Sequence, residues 1–172
     1  MFDIMVARPK DTKPVEKLLN KAFGPNRHEK RSYHFRVGVE DVPTLRFVAV
    51  TGGHLCGTIR FWPVYIGAST KALLLGPLGV DPEHQSIGIG ADLMTHGMNM
   101  ARDQGHSIVL LVGELDYYGR FGFGPASPHD ITMSGEQDHR VLVRELHNDA
   151  LEGVMGPVTS LAETSKSAVS AA

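Results

Sequence analysis

Several features that mark specialised proteins are scarce or missing in this chain of 172 residues. The single cysteine, Cys56, excludes an internal disulfide and a zinc site built from several cysteines, and it is typical of a reducing compartment. The formal net charge is only -2, so no overall field favours nucleic acid. No apolar run approaches the roughly 20 residues that span a bilayer, and the start of the chain lacks a signal-peptide core. We therefore expect a cytoplasmic protein with neither a nucleic-acid nor a membrane partner.

The composition predicts one folded domain. Hydrophobic residues make up 42% of the chain and charged residues 21%, the usual proportions of a globular protein. The length fits a single core. Residues 159–172 are mostly Ser, Ala, Thr, Glu and Lys and offer little to bury. We therefore expect a domain over residues 1–158, followed by a disordered tail over residues 159–172.

The first forty residues predict a strand and two helices. A short apolar segment over residues 2–7 precedes residues 15–23, whose apolar side chains recur at helical spacing until Gly24 ends the pattern. Residues 27–39 are rich in charge and predict a second, more exposed helix. This charge is consistent with a basic anion-binding patch or with a solvated helix face, and the solvated face is the preferred interpretation.

The next segments predict antiparallel strands. Residues 46–51 and 54–62 are strand-like and flank the glycine pair 52–53, which is typical of tight hairpin turns. A further apolar strand over residues 71–80 contains Gly76-Pro77. Proline cannot donate to a strand ladder and glycine weakens one, so this strand is expected to bulge there.

The centre of the chain predicts a strand, a crossover helix and a parallel strand. A glycine-containing loop over residues 85–90 leads into a helix that ends at Gly105, and residues 108–112 form a continuous apolar run. Such a run is typical of a strand covered on both faces, and the unit is expected to be parallel. The fold class is therefore a single-domain α/β fold with a mixed sheet flanked by helices.

The glycine loop is the most informative candidate for chemistry. Gly88 and Gly90 allow the backbone to approach a ligand, and the first turn of the following helix offers unpaired amides to a pyrophosphate. A tight connection without a ligand is the alternative. A dinucleotide fingerprint requires glycine where Leu93 stands, and the Gly-Lys-Ser/Thr of a P-loop is missing, so both motifs fail.

Two segments in the right order resemble a known family. LGVDP at residues 78–82 followed by QSIGIGA at residues 85–91 resembles the acetyl-CoA-binding motif of the GNAT N-acetyltransferases, Gln/Arg-x-x-Gly-x-Gly/Ala. YYGRFGF at residues 117–123 resembles the family's Tyr-x-x-x-Gly-Phe segment, and the preceding Gly-Glu at residues 113–114 is similar to the YhbS-like subgroup. The resemblance spans roughly residues 3–158, and the two motifs are specific as a pair.

The resemblance implies how a cosubstrate is held. In this family two parallel strands separate at a bulge, and acetyl-CoA lies in the opening without a metal ion. The segment Leu78-Gly79-Val80 would lie along the pantetheine arm, with Leu78 and Val80 bonding it through their main chain. The pyrophosphate would be held by the amides of Gln85, Ser86, Ile87, Gly88, Ile89, Gly90 and Ala91.

Tyr118 stands in the general-acid position that the resemblance implies, next to the cosubstrate. A phenol can protonate the thiolate that leaves when an amine attacks the thioester. The alternative is that Tyr117 and Tyr118 both pack against the core. The resemblance favours a catalytic Tyr118.

The general base is left open by the sequence. Some family members carry a His or Glu on the bulged strand, but residues 73–80 contain no titratable side chain. Glu114 is the second candidate catalytic residue, because it could order a water or bind substrate; an exposed helix cap is the alternative. His34 and Glu40 are weaker candidates, and deprotonation through solvent water needs no base at all.

Two other constellations have simpler explanations. His54 and Cys56 share one face of a strand, which permits a thiolate pair and a covalent acyl-cysteine route, but a cysteine in a hairpin strand more often packs in the core. The nine histidines show no ligand spacing, so no metal site is expected.

The function implied is transfer of an acetyl group from acetyl-CoA to a primary amine by direct attack in a ternary complex. The acceptor is a small molecule or an amine of a peptide or protein, and a homodimer would be common for the family. The alternative is a non-catalytic acyl-CoA-binding or regulatory module with the same fold.

Overall fold

A mixed β-sheet organises the chain, whose residues 1–171 are described by a computed structural model, with side chains described through residue 166. In chain order the strands are β1 (Asp3–Val6), β2 (Phe47–Thr51), β3 (His54–Ile66), β4 (Thr70–Val80), β5 (Ile108–Val112), β6 (Gly124–Pro125), β7 (Ile131–Thr132), β8 (Val141–Glu145) and β9 (Gly156–Ser160). The helices are α1 (Thr12–Phe23), α2 (Ile89–Asp103), α3 (Leu115–Tyr118) and α4 (Leu161–Ala171). In this part of the chain, no helix is both long and apolar enough to cross a membrane.

The strand order is β1-β2-β3-β4-β5-β8-β6, and β9 joins β3 beyond the end of β2. The predicted hairpin is confirmed: β2 and β3 pair antiparallel from Thr51 opposite His54, around two glycines with positive φ. The predicted first helix is also confirmed, because α1 buries Val15, Leu18 and Leu19 and ends before Gly24. The parallel pair is β4 with β5, and a second, two-residue parallel pairing joins β7 to β9.

The parallel strands β4 and β5 separate soon after they meet. Leu73 pairs with Val109 and Leu74 with Leu110, and no later residue of β4 pairs with β5. The predicted bulge lies at the same place, since Gly76-Pro77 stands in β4 opposite a single residue of β3. The mixed α/β fold with a splayed parallel pair is therefore confirmed.

The charged segment after α1 differs from the expectation. Residues 25–29 and 31–36 form two 3₁₀ turns instead of a solvated helix. Arg27 is only 3% exposed, because its guanidinium binds Glu16, Asn20 and the Tyr33 hydroxyl, while Phe35 is 1% exposed in the core. These tertiary contacts hold the segment against α1, and helical periodicity could not indicate them.

The end of the chain also differs from the expectation of a disordered tail from residue 159. Val158 and Ser160 are buried in β9, and α4 follows at once. The Ser160 hydroxyl accepts from the Glu163 amide at 3.2 Å, and the Glu163 carboxylate accepts from the Ser160 amide at 3.1 Å, which is a reciprocal capping box. This Ser-x-x-Glu pattern was present in the sequence. Ala172 lies outside the described residues.

Candidate functional site

The separation of β4 from β5 opens a cleft that contains two cavities. The loop-side cavity, of about 600 Å³, lies between the carboxyl end of β4 and the start of α2. The arginine-side cavity, of about 350 Å³, lies between the bulge of β4, the start of β8 and the two 3₁₀ turns. Phe23, Leu78 and Tyr118 line both cavities. These three residues therefore mark the junction of the two halves of the cleft.

The open edge of β4 supplies backbone groups to the cleft. The Asp81 amide donates to the Cys56 carbonyl at 2.9 Å, so this amide points towards β3. Because successive residues of a strand direct their backbone groups to alternate edges, the amides and carbonyls of Leu78 and Val80 point away from β3. Past Leu74 no strand pairs with that edge among the described residues. Leu78 and Val80 also line the loop-side cavity.

The loop before α2 presents a run of amides to the loop-side cavity. Ser86 and Gly88 adopt positive φ angles of 68° and 90°. In the described part of the chain, no backbone carbonyl accepts from the amides of residues 86–88. The amides of Ile89, Gly90 and Ala91 belong to the first helical turn, where intrahelical acceptors are missing. The dipole of α2 adds positive potential at the same end.

The side chains around this loop suit a polyanion. Arg120 and His84 line the loop-side cavity, and its lining contains no acidic residue. Arg120 stacks over the Tyr117 ring, with 4.3 Å from the guanidinium carbon to the ring centroid. Neither residue was expected at the site from the sequence, although Arg120 lies inside the motif at residues 117–123. The cavity therefore fits a pyrophosphate-bearing cosubstrate by the unpaired amides of its lining loop, by its charge and by its volume.

Most of the predicted cosubstrate residues come together here. The ones that line the loop-side cavity are Leu78, Val80, Gln85, Ser86, Gly88, Ile89, Gly90, Ala91 and Tyr118. Gly79 is not among them, because it packs against α1, where an added Cβ would lie 2.8 Å from the Leu19 side chain. The Ile87 side chain is also outside the lining and is 59% exposed.

Tyr118 is held firmly at the junction. Its ring fills the space above Gly113, which leaves no room for a side chain there, and it meets the Tyr117 ring edge-on at 4.8 Å between centroids. Burial raises the pKa of the Tyr118 phenol above its ordinary value, and Tyr117 acts in the same direction, while Arg140 opposes them. The phenol therefore stays protonated at neutral pH and is able to donate a proton.

The candidate bases do not line the cleft. The Glu114 carboxylate pairs with Arg140 at 3.0 Å, is 67% exposed and directly precedes α3. His34 lies against α4, 3.6 Å from the Glu163 carboxylate, and Glu40 pairs with Arg46 at 3.1 Å. None of the three lines the loop-side or the arginine-side cavity. Glu136 does line the arginine-side cavity, although no sequence pattern indicates it.

Cys56 has a packing role. Its thiol is fully buried and donates to the Ala49 carbonyl at 3.3 Å. Burial raises the pKa of this thiol, so a thiolate is disfavoured. His54 is exposed at the start of β3. Among the described residues no group of three or more His, Cys, Asp or Glu is arranged to hold a metal ion.

Sequence patterns predict little of the arginine-side cavity. Its cationic lining consists of Arg27, Lys30, Arg31, Arg36 and Arg140. Four of these belong to the charged segment for which an anion-binding patch was the second interpretation. A solvated face, the preferred interpretation, does not describe Arg27 or Arg36, because these side chains turn inwards to the cleft.

Comparison with known proteins gives a consistent result. The family described as "Acetyltransferase (GNAT) domain" matches residues 3–126. The uncharacterized N-acetyltransferase YhbS of Escherichia coli K12 is 31% identical over 163 residues, which are 90% of this chain and 93% of that protein. The uncharacterized N-acetyltransferase YjhQ of the same organism is 27% identical over 129 residues, which are 73% of this chain and 71% of YjhQ.

Two solved structures extend the likeness to three dimensions. The crystal structure of Escherichia coli YhbS in complex with CoA has a TM-score of 0.82 at 28% identity and covers 95% of this chain and 92% of its own. A GNAT family acetyltransferase from Brucella melitensis in complex with acetyl-CoA has a TM-score of 0.72 at 27% identity, with coverages of 95% and 98%. The resemblance to the YhbS-like subgroup is confirmed.

Proposed function

Because this chain belongs to the GNAT family of acetyltransferases, we propose that it transfers the acetyl group of acetyl-CoA to a primary amine by direct attack in a ternary complex. The acceptor is a small molecule or an amine of a peptide or protein. The observation that carries the proposal is the position of Tyr118, a protonated phenol where the loop-side and arginine-side cavities meet. A cosubstrate in one cavity and an acceptor in the other would meet at this hydroxyl.

The residues of the loop-side cavity would hold acetyl-CoA, which supplies an acetyl group activated as a thioester. Leu78 and Val80 would pair with the pantetheine arm through their free backbone edge, and Gly79 would keep β4 close to α1. The amides of residues 85–91 would bind the pyrophosphate, with added charge from Arg120. The complexes of the two related structures with CoA and acetyl-CoA support this assignment.

Tyr118 would act as the general acid. A neutral amine forms the new C–N bond, the C–S bond breaks, and the leaving thiolate takes the phenolic proton. The amine proton goes to solvent, because residues 73–80 contain no titratable side chain, and the Tyr118 phenolate regains a proton from solvent before the next turnover. Glu114 would contribute indirectly: it pairs with Arg140, which lines the arginine-side cavity, and so positions that guanidinium.

We further take the catalytic domain to run from residue 1 through β9, two residues past the expected end at residue 158, because Ser160 pairs with Val64 of β3. The family match ends at residue 126, but β8 pairs with β5 along its whole length and so completes the wall of the cleft. β9 pairs with β3 and completes the sheet. A cytoplasmic location and a homodimer stay predictions from the sequence.

Thermal unfolding with acetyl-CoA tests the binding half of the proposal. A ligand at 100 times its Kd adds about 2.7 kcal/mol to the free energy of unfolding, which is about 5–10 °C in Tm for a chain of this size. We expect this rise with acetyl-CoA and CoA but not with NAD or ATP. No rise at millimolar acetyl-CoA would overturn the proposal.

Release of CoA in the presence of an amine library tests the catalytic half. We expect at least one amine to raise the rate of CoA release above the rate of hydrolysis. A protein that binds acetyl-CoA but never responds to an amine would instead be the non-catalytic acyl-CoA-binding module.

A further inference from the structure

Arg36 is a half-buried cation at the bulge of β4. Its guanidinium lies between the rings of Tyr33 and Trp62, at 4.6 and 5.8 Å from their centroids. One of its nitrogens, Nη2, occupies the space beside Gly76, where an added Cβ would lie only 2.9 Å away. Gly76 stands just past the point where β4 and β5 separate. Arg36 therefore reaches the point where β4 and β5 separate from the arginine-side cavity.

No carboxylate of the protein neutralises this guanidinium. Within residues whose side chains the structure describes, the buried Nε of Arg36 has no hydrogen-bond partner, and Arg36 forms no salt bridge. Glu16, which lines a pocket with Arg36, is engaged by Arg27 and lies near Arg60. Burial lowers the pKa of Arg36 to about 10, so it is still charged at neutral pH.

A donor that is withdrawn from water without an acceptor is costly unless a ligand supplies one, and the Nε of Arg36 is such a donor. A guanidinium presents a planar fork of donors that matches the two oxygens of a carboxylate or a phosphate. The other cationic side chains of the arginine-side cavity also favour a negatively charged ligand. Lys30 and Arg31 line the cavity and pair with no described carboxylate, whereas Glu136 is the one acidic residue in its lining.

We propose that the acceptor is an amine that also carries an oxyanion, a carboxylate or a phosphate, and that Arg36 binds this group in the arginine-side cavity. The inference rests on the proposed function and adds the class of acceptor to it. The arrangement would place the anionic end of the acceptor on Arg36 at the bulge and leave the amine free to reach the junction at Tyr118. A neutral amine would leave Arg36 unpaired.

Acetylation of matched amines tests the proposal. Each pair consists of an anionic amine and its neutral counterpart: L-leucine with L-leucinamide, 4-aminobutyrate with 4-aminobutyramide, and phosphoethanolamine with ethanolamine. The kcat/KM for CoA release is expressed per neutral amine, because the anionic group changes the amine pKa. We expect the anionic member of at least one pair to react about 10–100-fold faster, the effect of a charge-assisted hydrogen bond. The pair that responds distinguishes a carboxylate from a phosphate.

Substitution of Arg36 assigns the preference to this residue. Arg36→Gln should abolish the preference for the anionic amine, and Arg36→Lys should keep part of this preference. The Tm rise with acetyl-CoA should stay unchanged in both variants. Arg102→Gln is the matched control, since it removes an exposed arginine of α2 outside the cleft and should keep the preference. A merely structural Arg36 would lower the rates for both members of a pair equally.

The outcomes separate this inference from the proposed function. Loss of acetyl-CoA binding in the wild type overturns the proposed function. Acetyl-CoA binding with no preference for anionic amines, or with a preference that survives Arg36→Gln, overturns the inference alone. A panel in which no anionic amine is acetylated also overturns it.

Discussion

The two cavities of the cleft present polar groups to their ligands in different ways. The loop-side cavity offers backbone amides from one continuous segment, residues 78–91, and its lining contains no acidic side chain. The arginine-side cavity offers side chains from several elements distant in sequence, among them Arg36 before β2 and Arg140 before β8. Backbone donors tolerate side-chain substitution, whereas a cavity built from side chains changes with each one. The loop-side cavity therefore suits a cosubstrate that is the same for all members of a family, and the arginine-side cavity suits an acceptor that differs from one member to the next.

The junction of the two cavities should be the most sensitive position. We expect Tyr118→Phe to lower kcat by about 10²–10⁴-fold, because the leaving thiolate loses its proton donor. The Tm rise with acetyl-CoA should stay within 1–2 °C of the wild-type rise, on the order of a few tenths of a kcal/mol. Tyr65→Phe on β3, outside the cleft, is the control and should keep kcat. An unchanged kcat in Tyr118→Phe would show that Tyr118 is not the general acid.

The pH profile sharpens the same assignment. Because burial raises the pKa of Tyr118, its proton is retained beyond the ordinary phenol value of about 10. We therefore expect titration of Tyr118 to cause no fall in the wild-type kcat below about pH 10. Any fall at lower pH should also occur in Tyr118→Phe. A wild-type alkaline loss near pH 8 would contradict a Tyr118 acid.

The loop-side cavity should depend on the backbone conformation of Gly88. This residue has a φ of 90°, and a side chain in the left-handed region costs about 1–2 kcal/mol. We expect Gly88→Ala to weaken acetyl-CoA binding by about 10-fold, because the amides of the loop lose their alignment. Gly105, at the other end of α2, has a φ of 88° and also has open space around it.

Gly105→Ala is therefore a matched control for backbone strain. It should lower Tm about as much as Gly88→Ala and leave the affinity for acetyl-CoA unchanged. Equal losses of affinity in the two variants would show that backbone strain at the ends of α2, and not the alignment of the loop amides, governs acetyl-CoA binding.

The arginine-side cavity should respond to its outer ion pair. Glu114→Gln releases Arg140, and we expect the KM for the amine to rise about 2–5-fold with little change in Tm, because exposed pairs contribute about 0–1 kcal/mol. Glu152→Gln removes an exposed carboxylate outside the cleft and serves as the control. A loss of kcat above 100-fold would instead make Glu114 a catalytic residue.

The smallest effect is expected where α1 meets the end of β4. Lys21 donates to the Asp81 carboxylate at 2.8 Å, and this contact, followed by the Glu83 amide, lowers the pKa of Asp81. A lowered pKa adds stability above the unfolded value of about 3.9 that is lost as the pH falls through the folded value. Lys21→Gln should thus lower Tm slightly at pH 7 and not at all at pH 2. Thermal scans at both values measure this, and an equal loss at pH 2 would exclude the ion pair as the cause.

A part of the cleft is predictable from the sequence when the residues that form it are close together in the chain. The amides around Gly88 and Gly90 follow from a short motif, because a strand, a glycine loop and a helix start fix each other's geometry within fifteen residues. Arg36 has no such neighbours in sequence. Tyr33 is close to Arg36 in sequence, but the proposed role of Arg36 also depends on contacts with Trp62 and Gly76, which only the folded sheet brings to it.

The errors of the sequence interpretation have the same origin. The charge density of residues 27–39 predicts exposure to water, yet Arg27 is buried and its guanidinium pairs with the half-exposed Glu16 on α1. Ser160 and Glu163 are the exception, since their capping box is a local pattern that was overlooked beside the polar composition of the tail.

The fold class, the bulge in β4 and the family were predictable from the sequence, because each follows from a local pattern: the spacing of apolar residues, a Gly-Pro pair within a strand, and two short motifs. The folded structure was needed to show that Glu114 pairs with Arg140, that Tyr118 lies at the junction of two cavities, and that the buried Nε of Arg36 has no hydrogen-bond partner among the described side chains. The physical reason is that the charge and burial of a side chain depend on partners that the folded chain brings together from distant positions.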